Sequence, residues 1–266
     1  MFVDPLPSAD EVAEHESEAF RDGLVEETRE MFAAYGRDYR EDDPVAQDFR
    51  RHIATLGELT TGRRLLDVGV GTGLLIHLAQ RAGWEASGVD IAAEAADRAR
   101  SEFGAAVTVG DFMTAPLAGS WDAITMADVL EHTRDPRAFL ARAHALLAPG
   151  GVLYVAVPNH RSLVFLAADV LGKLPAMATY VDRLYVPNHY HYFTPATLTG
   201  LVREVGFDVA RVARENPYLG RYKLSLPVRV GLATLLATSR VLGLESRLAV
   251  FARRAVTASS PGAGTR

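Results

Sequence analysis

The chain has 266 residues, 48% hydrophobic and 23% charged, with a formal net charge of −5. These values suit a soluble globular protein of one elaborated domain or two small ones, long enough to bury a core without staples. The absence of cysteine excludes disulfides, thiolate metal sites and cysteine nucleophiles, and the acidic balance argues against a nucleic-acid binder.

The amino-terminal stretch "MFVDPLPSADEVAEHESEAF" is acidic and has no basic region followed by an apolar one, so it does not read as a secretory signal. No run reaches the ~18 uninterrupted apolar residues of a spanning helix, and a cytoplasmic protein is expected. Lys173 and Lys223 are the only lysines while Arg and Ala abound, a bias that suits a GC-rich bacterial genome. Through the first fifty residues Phe20, Leu24, Met31, Phe32 and Tyr35 recur at roughly helical spacing, with Tyr39 close behind and a break at Pro44.

From Arg63 the pattern alternates. Strands are predicted at 64–68, 85–90, 106–109, 121–127 and 152–157, with helices at 73–82, 92–103 and 136–147. Pro149, Gly150 and Gly151 stop the third of these helices. Alternating strand and helix implies a parallel sheet covered on both faces, with a ligand at the carboxyl ends of the strands near the switch in strand order. Beyond Val157 comes a long connection, 159–188, holding the apolar helical piece "SLVFLAADVLG". A helix at 195–205 follows, capped by Thr194 with Pro195 at its first position, then a strand at 207–214, a helix at 224–242 and a final edge strand at 246–253. The tail "TASSPGAGTR" is expected to be disordered.

Gly69, Gly71 and Gly73 form a G-x-G-x-G turn after the first strand. Glycines there permit positive φ and close approach of the backbone to a ligand. The dinucleotide fingerprint G-x-G-x-x-G fails, because Leu74, or Ile76 in a shifted count, stands where its third glycine belongs. The Walker pattern is absent too. Asp67, just before the turn, can receive an ammonium group and would repel a pyrophosphate. Asp90, ending the second strand, can accept both hydroxyls of a ribose. Asp111, after the third, can accept from an adenine amino group, with Phe112 beside it to pack on the ring.

The successive stretches "LLDVGVGTG", "GVDI", "VGDF", "WDAITMADVLEH" and "LLAPGGVLYVAVPN" resemble the motifs of class I S-adenosylmethionine-dependent methyltransferases, over about 63–214. In layout the chain is most similar to the ubiquinone-biosynthesis O-methyltransferases. The resemblance implies an α/β Rossmann-like three-layer sandwich on a mostly parallel seven-stranded sheet with only the last strand antiparallel. It implies an N-terminal helical lid over 1–60, a catalytic domain over 61–254 with a lid or substrate insertion at 159–190, and a tail at 255–266. S-adenosylmethionine is the implied cofactor. Gly69, Gly71, Thr72 and Gly73 would line its methionine part, Asp67 would meet its amino group, and Asp90, Ile91, Asp111, Phe112 and Met126 would hold the nucleoside.

The sulfonium already carries a good leaving group, so the enzyme aligns a nucleophile, excludes water and helps an alcohol or phenol lose its proton. "DVLEHTRDP" offers Asp128, Glu131 and His132 where the fourth strand delivers the chain. His132 is the expected general base, with Glu131 and His191 as further catalytic candidates and His160 as another alternative. In the similar O-methyltransferases some members use a divalent cation with such residues. Here the set would be Asp128, Glu131 and His132, with Asp128 where a glutamate is common there; a metal is allowed but not favoured. His191 reads either as a substrate contact or as a hydrogen-bonded anchor. His15, His52, His77 and His144 read as structural. Tyr35, Tyr39, Tyr180 and Tyr185 are candidate pocket walls. The apolar stretches around 162–175 and 226–244 read as buried against the sheet or at a homodimer interface, so membrane contact is not expected. The leading expectation is a methyltransferase acting on a hydroxyl oxygen of a small molecule such as a phenol, quinol, sugar or secondary metabolite. The alternatives are an N-methyltransferase on a small amine, a non-catalytic S-adenosylmethionine-binding protein, and a nucleotide-dependent oxidoreductase, the last already weakened by Leu74.

Overall fold

The computed structural model describes residues 11, 39–173, 185, 188–219 and 225–255. The expectations for Phe20, Leu24, Met31, Phe32, Tyr35, Tyr180, His15 and the tail lie outside them. The described chain runs α1 (Pro44–Leu59), β1 (Arg64–Val68), α2 (Leu74–Arg81), β2 (Glu85–Asp90), α3 (Ala93–Phe103), β3 (Ala106–Val109) and β4 (Trp121–Ala127). After a short 3-10 turn (Leu130–His132) come α4 (Pro136–Leu146), β5 (Leu147–Pro158), α5 (Leu163–Leu171), α6 (Pro195–Glu204), β6 (Phe207–Glu215), α7 (Leu226–Leu242) and β7 (Arg247–Arg254).

The helix starts follow from local chemistry. Asp43 accepts from the Val45 amide with Pro44 opening α1, Asp135 caps α4 ahead of Pro136, and Ser162 caps α5. At α6 Thr194 and Thr197 exchange bonds in a capping box with Pro195 in the first turn.

The sheet has seven strands in the order β3-β2-β1-β4-β5-β7-β6. β7 runs antiparallel to both its neighbours, and the pairs among β1 to β5 are parallel. This is a Rossmann-like methyltransferase fold, as the motifs implied. Strand order corrects the predicted place of the last strand. β7 is an interior strand between β5 and β6, because its apolar residues alternate to both faces: Ala249 and Phe251 reach one core layer, Leu248, Val250 and Ala252 the other. An edge strand would have left one side of that ladder unpaired. β5 also begins earlier than predicted, at Leu147 opposite Trp121, with an irregularity around Pro149–Gly151 that does not end the pairing.

Each strand feeds two layers by side-chain alternation. Leu65, Ala123, Tyr154 and Phe251 meet α1, α2 and α3 on one face, and Leu66, Ile124, Leu153 and Val250 meet α4 and α6 on the other. α1 belongs to the first layer, with Ala46, Ile53 and Leu56 buried. That part of the predicted lid segment therefore covers the sheet face. His52 on α1 is satisfied as a structural histidine: its Nδ1 lies 2.8 Å from the Tyr154 hydroxyl and its Nε2 2.6 Å from Glu215. Burial pushes the Glu215 carboxyl up, but the His52 bond and charge prevail and hold it below its ordinary value.

The chain climbs outward from β1 to β3 and then returns to place β4 on the other side of β1. The switch in strand order thus falls between the carboxyl ends of β1 and β4.

Candidate active site

The turn after β1 sits at that switch. Gly69, Gly71 and Gly73 have φ of 74°, 53° and 84°, the left-handed region that favours glycine. Their reasons for being glycine differ. A methyl group on Gly73 would lie 2.7 Å from Ala99 Cβ and 3.0 Å from Ala99 Cα, so Gly73 lets α3 pack close. On Gly69 it would lie 2.5 Å from a methyl carbon of Val129, which ties the turn to the loop after β4. On Gly71 it would meet nothing within 4 Å. That open side is the cradle.

Two buried acids flank it. Asp90 accepts from the Gly71 amide at 3.1 Å through one oxygen and from Ala92 at 2.9 Å through the other. Its carboxylate therefore shapes the turn as well as facing the cleft. Asp67 is 2% exposed and accepts the Thr125 hydroxyl at 2.5 Å. Burial pushes its carboxyl up to about 8, against the Thr125 bond and with help from the Asp90 charge. A buried acid at this place suits a cationic partner. Thr72 is buried beside it, and Ile91 is half-buried after Asp90. Asp111 accepts from the Met113 amide at 2.9 Å in a tight turn after β3.

Two of the residues expected at the nucleoside are buried side chains. Phe112 is 4% exposed, with Phe139 at 5.4 Å and the Arg142 guanidinium 5.5 Å over its ring, so its faces are already covered. Met126 is fully buried in the layer with Ile124 and Leu153, on the face opposite Thr125 and Asp67. One step along a strand turns a side chain to the other face, and Met126 is one step from the cleft side. Half-buried Met113 is the apolar group left near Asp111.

The acceptor side is assembled from distant segments. Asp128, at the end of β4, is the one non-glycine residue at positive φ among the described residues, at 55°. Its carboxylate pairs with Arg247 at 2.9 Å. Burial works against the Arg247 charge, but Asp128 and the nearby Tyr154, Glu215 and Glu131 keep the guanidinium's pKa raised. Sequence reasoning passed over Arg247, since only the antiparallel placing of β7 brings its first residue to the carboxyl edge. The expected metal set is corrected by the same pair. Asp128 is engaged by Arg247, and the side chain that joins Glu131 and His132 is His189. One ligating atom from each of these three lies within 4.8 Å of the others.

Glu131 is 1% exposed, and neither carboxyl oxygen has a hydrogen-bond partner. Burial pushes its carboxyl up to about 7, with His132 and Arg247 pulling down and Asp128 pushing up. Its backbone carbonyl accepts from the Tyr190 and His191 amides at 2.8 and 3.1 Å. Those bonds bring His189 edge-on to His132, with ring centroids 4.7 Å apart. His191 resolves as the anchor: its ring bonds the backbone of Arg134 and Thr133, and burial holds its pKa down against those bonds. It is not part of the trio.

An aromatic group lies alongside. His160 is 4.9 Å from Phe165 and 5.1 Å from Tyr192 between ring centroids, and Tyr185 joins at 5.7 Å from Phe165 and 5.9 Å from Tyr192. His189 links it to the trio, 6.4 Å from Tyr192. Tyr185, one of the candidate walls, belongs to this aromatic group. Tyr39 does not: it packs against His77 and Phe103, and its hydroxyl meets Arg81 at 2.8 Å, on the outer side of α2 and α3.

A seven-stranded sheet with this order, a glycine turn at its switch point and acids at the ends of β1 and β2 and after β3 define a class I S-adenosylmethionine-dependent methyltransferase. The methyltransferase-domain family matches residues 39–212, and the chain belongs to that family. Among curated relatives, the ubiquinone biosynthesis O-methyltransferase of Xanthomonas axonopodis pv. citri is 36% identical over 177 residues, 62% of this chain and 71% of that protein. The protein of the same name from Ralstonia nicotianae is 31% identical over 211 residues, 74% of this chain and 83% of that one. Among solved structures, magnesium protoporphyrin IX methyltransferase from Synechocystis PCC 6803 with bound S-adenosylhomocysteine aligns with a TM-score of 0.62 at 16% identity, over 91% of this chain and 99% of that one. A SAM-dependent methyltransferase from Archaeoglobus fulgidus aligns with a TM-score of 0.56 at 22% identity, covering 79% and 92%. At such identities the structural likeness speaks for the fold.

Proposed function

We propose that the protein transfers a methyl group from S-adenosylmethionine to a hydroxyl oxygen of a small aromatic acceptor. The observation that carries this reading is the pairing of an open glycine cradle flanked by buried acids with a buried, unbonded carboxylate in the segment after β4, whose Val129 stands against Gly69. When bound, the cofactor supplies an electrophilic methyl group on a sulfonium. Asp67 would hold its ammonium group and Asp90 its ribose, while the open side of Gly71 leaves room for the methionine part. Across the cleft Glu131 and His132 would take the hydroxyl proton. Burial of Glu131 excludes water from that transfer and keeps the carboxyl within reach of neutral pH. His160, Phe165, Tyr185 and Tyr192 supply flat apolar faces, which suit a phenol or quinol ring better than a sugar. The names of the relatives point the same way. An amine acceptor would need no such base, so the Glu131 site favours oxygen over nitrogen.

A second reading of the trio is a divalent cation site. One carboxylate and two imidazoles within 4.8 Å of one another fit Zn²⁺, Mn²⁺ or Fe²⁺ better than Mg²⁺. A cation there would acidify a hydroxyl bound to it. Glu131, His132 and His189 would hold it, with the backbone bonds at Tyr190 and His191 fixing His189. Turnover that survives exhaustive chelation removes this reading and leaves the first.

Calorimetric titration with S-adenosylhomocysteine and, separately, NAD tests the cofactor. Micromolar binding of the first alone is expected, and Asp90→Ala should weaken it by about 2–4 kcal/mol, since hydrogen bonds to charged groups contribute ~1.5–3 each and the turn loses its anchor as well. Binding of NAD alone overturns the reading. Methyl-labelled S-adenosylmethionine offered with phenols, quinols, sugars and amines then identifies the acceptor atom.

A further inference from the structure

One torsion at the end of β4 sets the path of the acceptor segment. Ala127 packs against the α1–α3 layer, and strand alternation would send the next side chain to the other side of the sheet. Asp128 departs from that pattern. Its φ of 55° is the one positive value outside glycine among the described residues, and its carboxylate meets Arg247 at 2.9 Å. Arg247 starts on the α1–α3 side, two residues ahead of Ala249 on β7, opposite Pro158 of β5 and Glu215 of β6. Its side chain therefore reaches over the end of β5 to Asp128. The Asp128 amide is held as well, donating to the Ala156 carbonyl at 2.9 Å. The next residues make contacts that depend on this path. Val129 stands against Gly69, Glu131 is buried, and the Glu131 carbonyl receives the Tyr190 and His191 amides.

A residue other than glycine leaves the left-handed region unless its surroundings hold it there. The amide bond to Ala156 fixes where Asp128 begins, and the ion pair fixes which way its side chain turns. We propose that Arg247 is a positioning residue for methyl transfer. It clamps Asp128 in the left-handed conformation, and so aims residues 129–132 with Glu131 and His132 toward the acceptor. The role given to those two side chains rests on the catalytic reading above, whereas the clamp rests on the ion pair and the backbone. Arg247 is well placed to act as a fixed point. Glu215, its neighbour on β6, is held by His52 of α1 at 2.6 Å, so the clamp is anchored in the covered face of the sheet and not in the acceptor loops. Arg247 acts through Asp128, whose carboxylate engages its guanidinium, and not on the reacting atoms.

Hydrogen exchange of the full chain, read by mass spectrometry, tests the clamp with no acceptor present. R247M should speed exchange by roughly tenfold at the His132, Tyr190 and His191 amides, whose bonds depend on the backbone at 129–131, and leave β1 to β3 as in the wild type. Glycine takes the left-handed conformation without a clamp, so D128G/R247M should regain wild-type protection in both segments. Unchanged exchange in R247M overturns the proposal. So does faster exchange throughout the sheet, or a loss that D128G does not repair, since either would make Arg247 a support of the fold at large. Turnover supplies the second readout, with methyl-labelled S-adenosylmethionine and catechol as the probe acceptor. R247M should lower kcat by about 10²-fold with the KM of S-adenosylmethionine unchanged, whereas in the D128G background the same substitution should change kcat by less than about threefold. An equal fall in both backgrounds overturns the proposal, because Arg247 would then act on the reacting groups themselves. Loss of turnover in D128G alone overturns it too, since the carboxylate would then do more than hold the backbone. A wild type that leaves catechol unmethylated counts against the catalytic reading of Glu131, and the exchange pattern still decides the clamp.

Discussion

The two halves of the active site are built in opposite ways. The cofactor half is carried on one continuous stretch, from β1 to the turn after β3, braced from β4 and the loop after it by Thr125 on Asp67 and Val129 beside Gly69. Asp90 bonds Gly71 across nineteen positions. The acceptor half is assembled from several separate segments. Glu131 sits against His189, Asp128 against Arg247, and the backbone of Asn159 bridges to Phe193. A local half is fixed by backbone geometry and tolerates little change. A stitched half leaves side chains free to vary, which is where selectivity among acceptors can be set.

That contrast can be broken, most sharply at Glu131. Glu131→Gln should lower the rate of methyl transfer by about 10²- to 10⁴-fold while leaving S-adenosylhomocysteine affinity unchanged. A matching loss of cofactor binding would mean that the halves are not separable. The glycines sharpen the contrast within the cofactor half itself. Gly73→Ala should cost about 2–4 kcal/mol of stability in urea denaturation, since it combines strain at positive φ with a collision against the α3 backbone. Gly71→Ala should cost only ~1–2 kcal/mol of strain, yet weaken S-adenosylhomocysteine strongly, because its added methyl meets no protein atom and intrudes on the cradle. Equal effects on both measurements would refute the division of labour.

The smallest effect is a pH dependence. Asp67 has its folded pKa raised to about 8 by burial, so at neutral pH the folded apoprotein holds a proton that the unfolded chain has released. Its contribution to stability is therefore present below the ordinary carboxylate pKa and declines as pH rises toward 8. Receiving an ammonium group requires the carboxylate. S-adenosylhomocysteine should accordingly bind with proton release, and its affinity should weaken by roughly tenfold per unit as pH falls below about 8. Asp67→Asn should flatten that slope; a slope that persists would place the titrating group elsewhere.

The local half was also the legible half. Strands β1 to β4 were read to the residue because hydrophobic runs, turn glycines and strand-end acids are local signals. The burial of two expected contacts there was not foreseen, for want of face bookkeeping. Thr125 and Asp67 share one face of the sheet, which puts Met126 on the other, and Phe112 enters the core from the turn after β3. In the acceptor half, Glu131 and His132 were legible in one short motif. His189 was seen only as one of a pair, because nothing local says that the Tyr190 and His191 amides will find the Glu131 carbonyl. Arg247 was invisible for a stronger reason. Its role depends on strand order, and no stretch of sequence around it records that β7 enters between β5 and β6. The exposure of α7, where Leu226, Val228, Val230, Val241 and Leu242 stand bare, escaped for a related reason, since an apolar helix reads as buried until the body it should cover is seen to end beneath it.

The interior position of β7 has a consequence for how the protein is made and broken. As the chain leaves the ribosome, β6 emerges with no strand to pair with, and β5 presents an open parallel edge until residues 247–254 arrive. The half-made protein thus carries an unpaired strand and a naked sheet edge, the two features that invite association between chains. The last strand acts as a keystone. A stop codon just ahead of it removes β7 and so leaves β6 with no strand to pair with. The sheet is therefore completed by β7, far in sequence from the glycine turn at Gly69–Gly73.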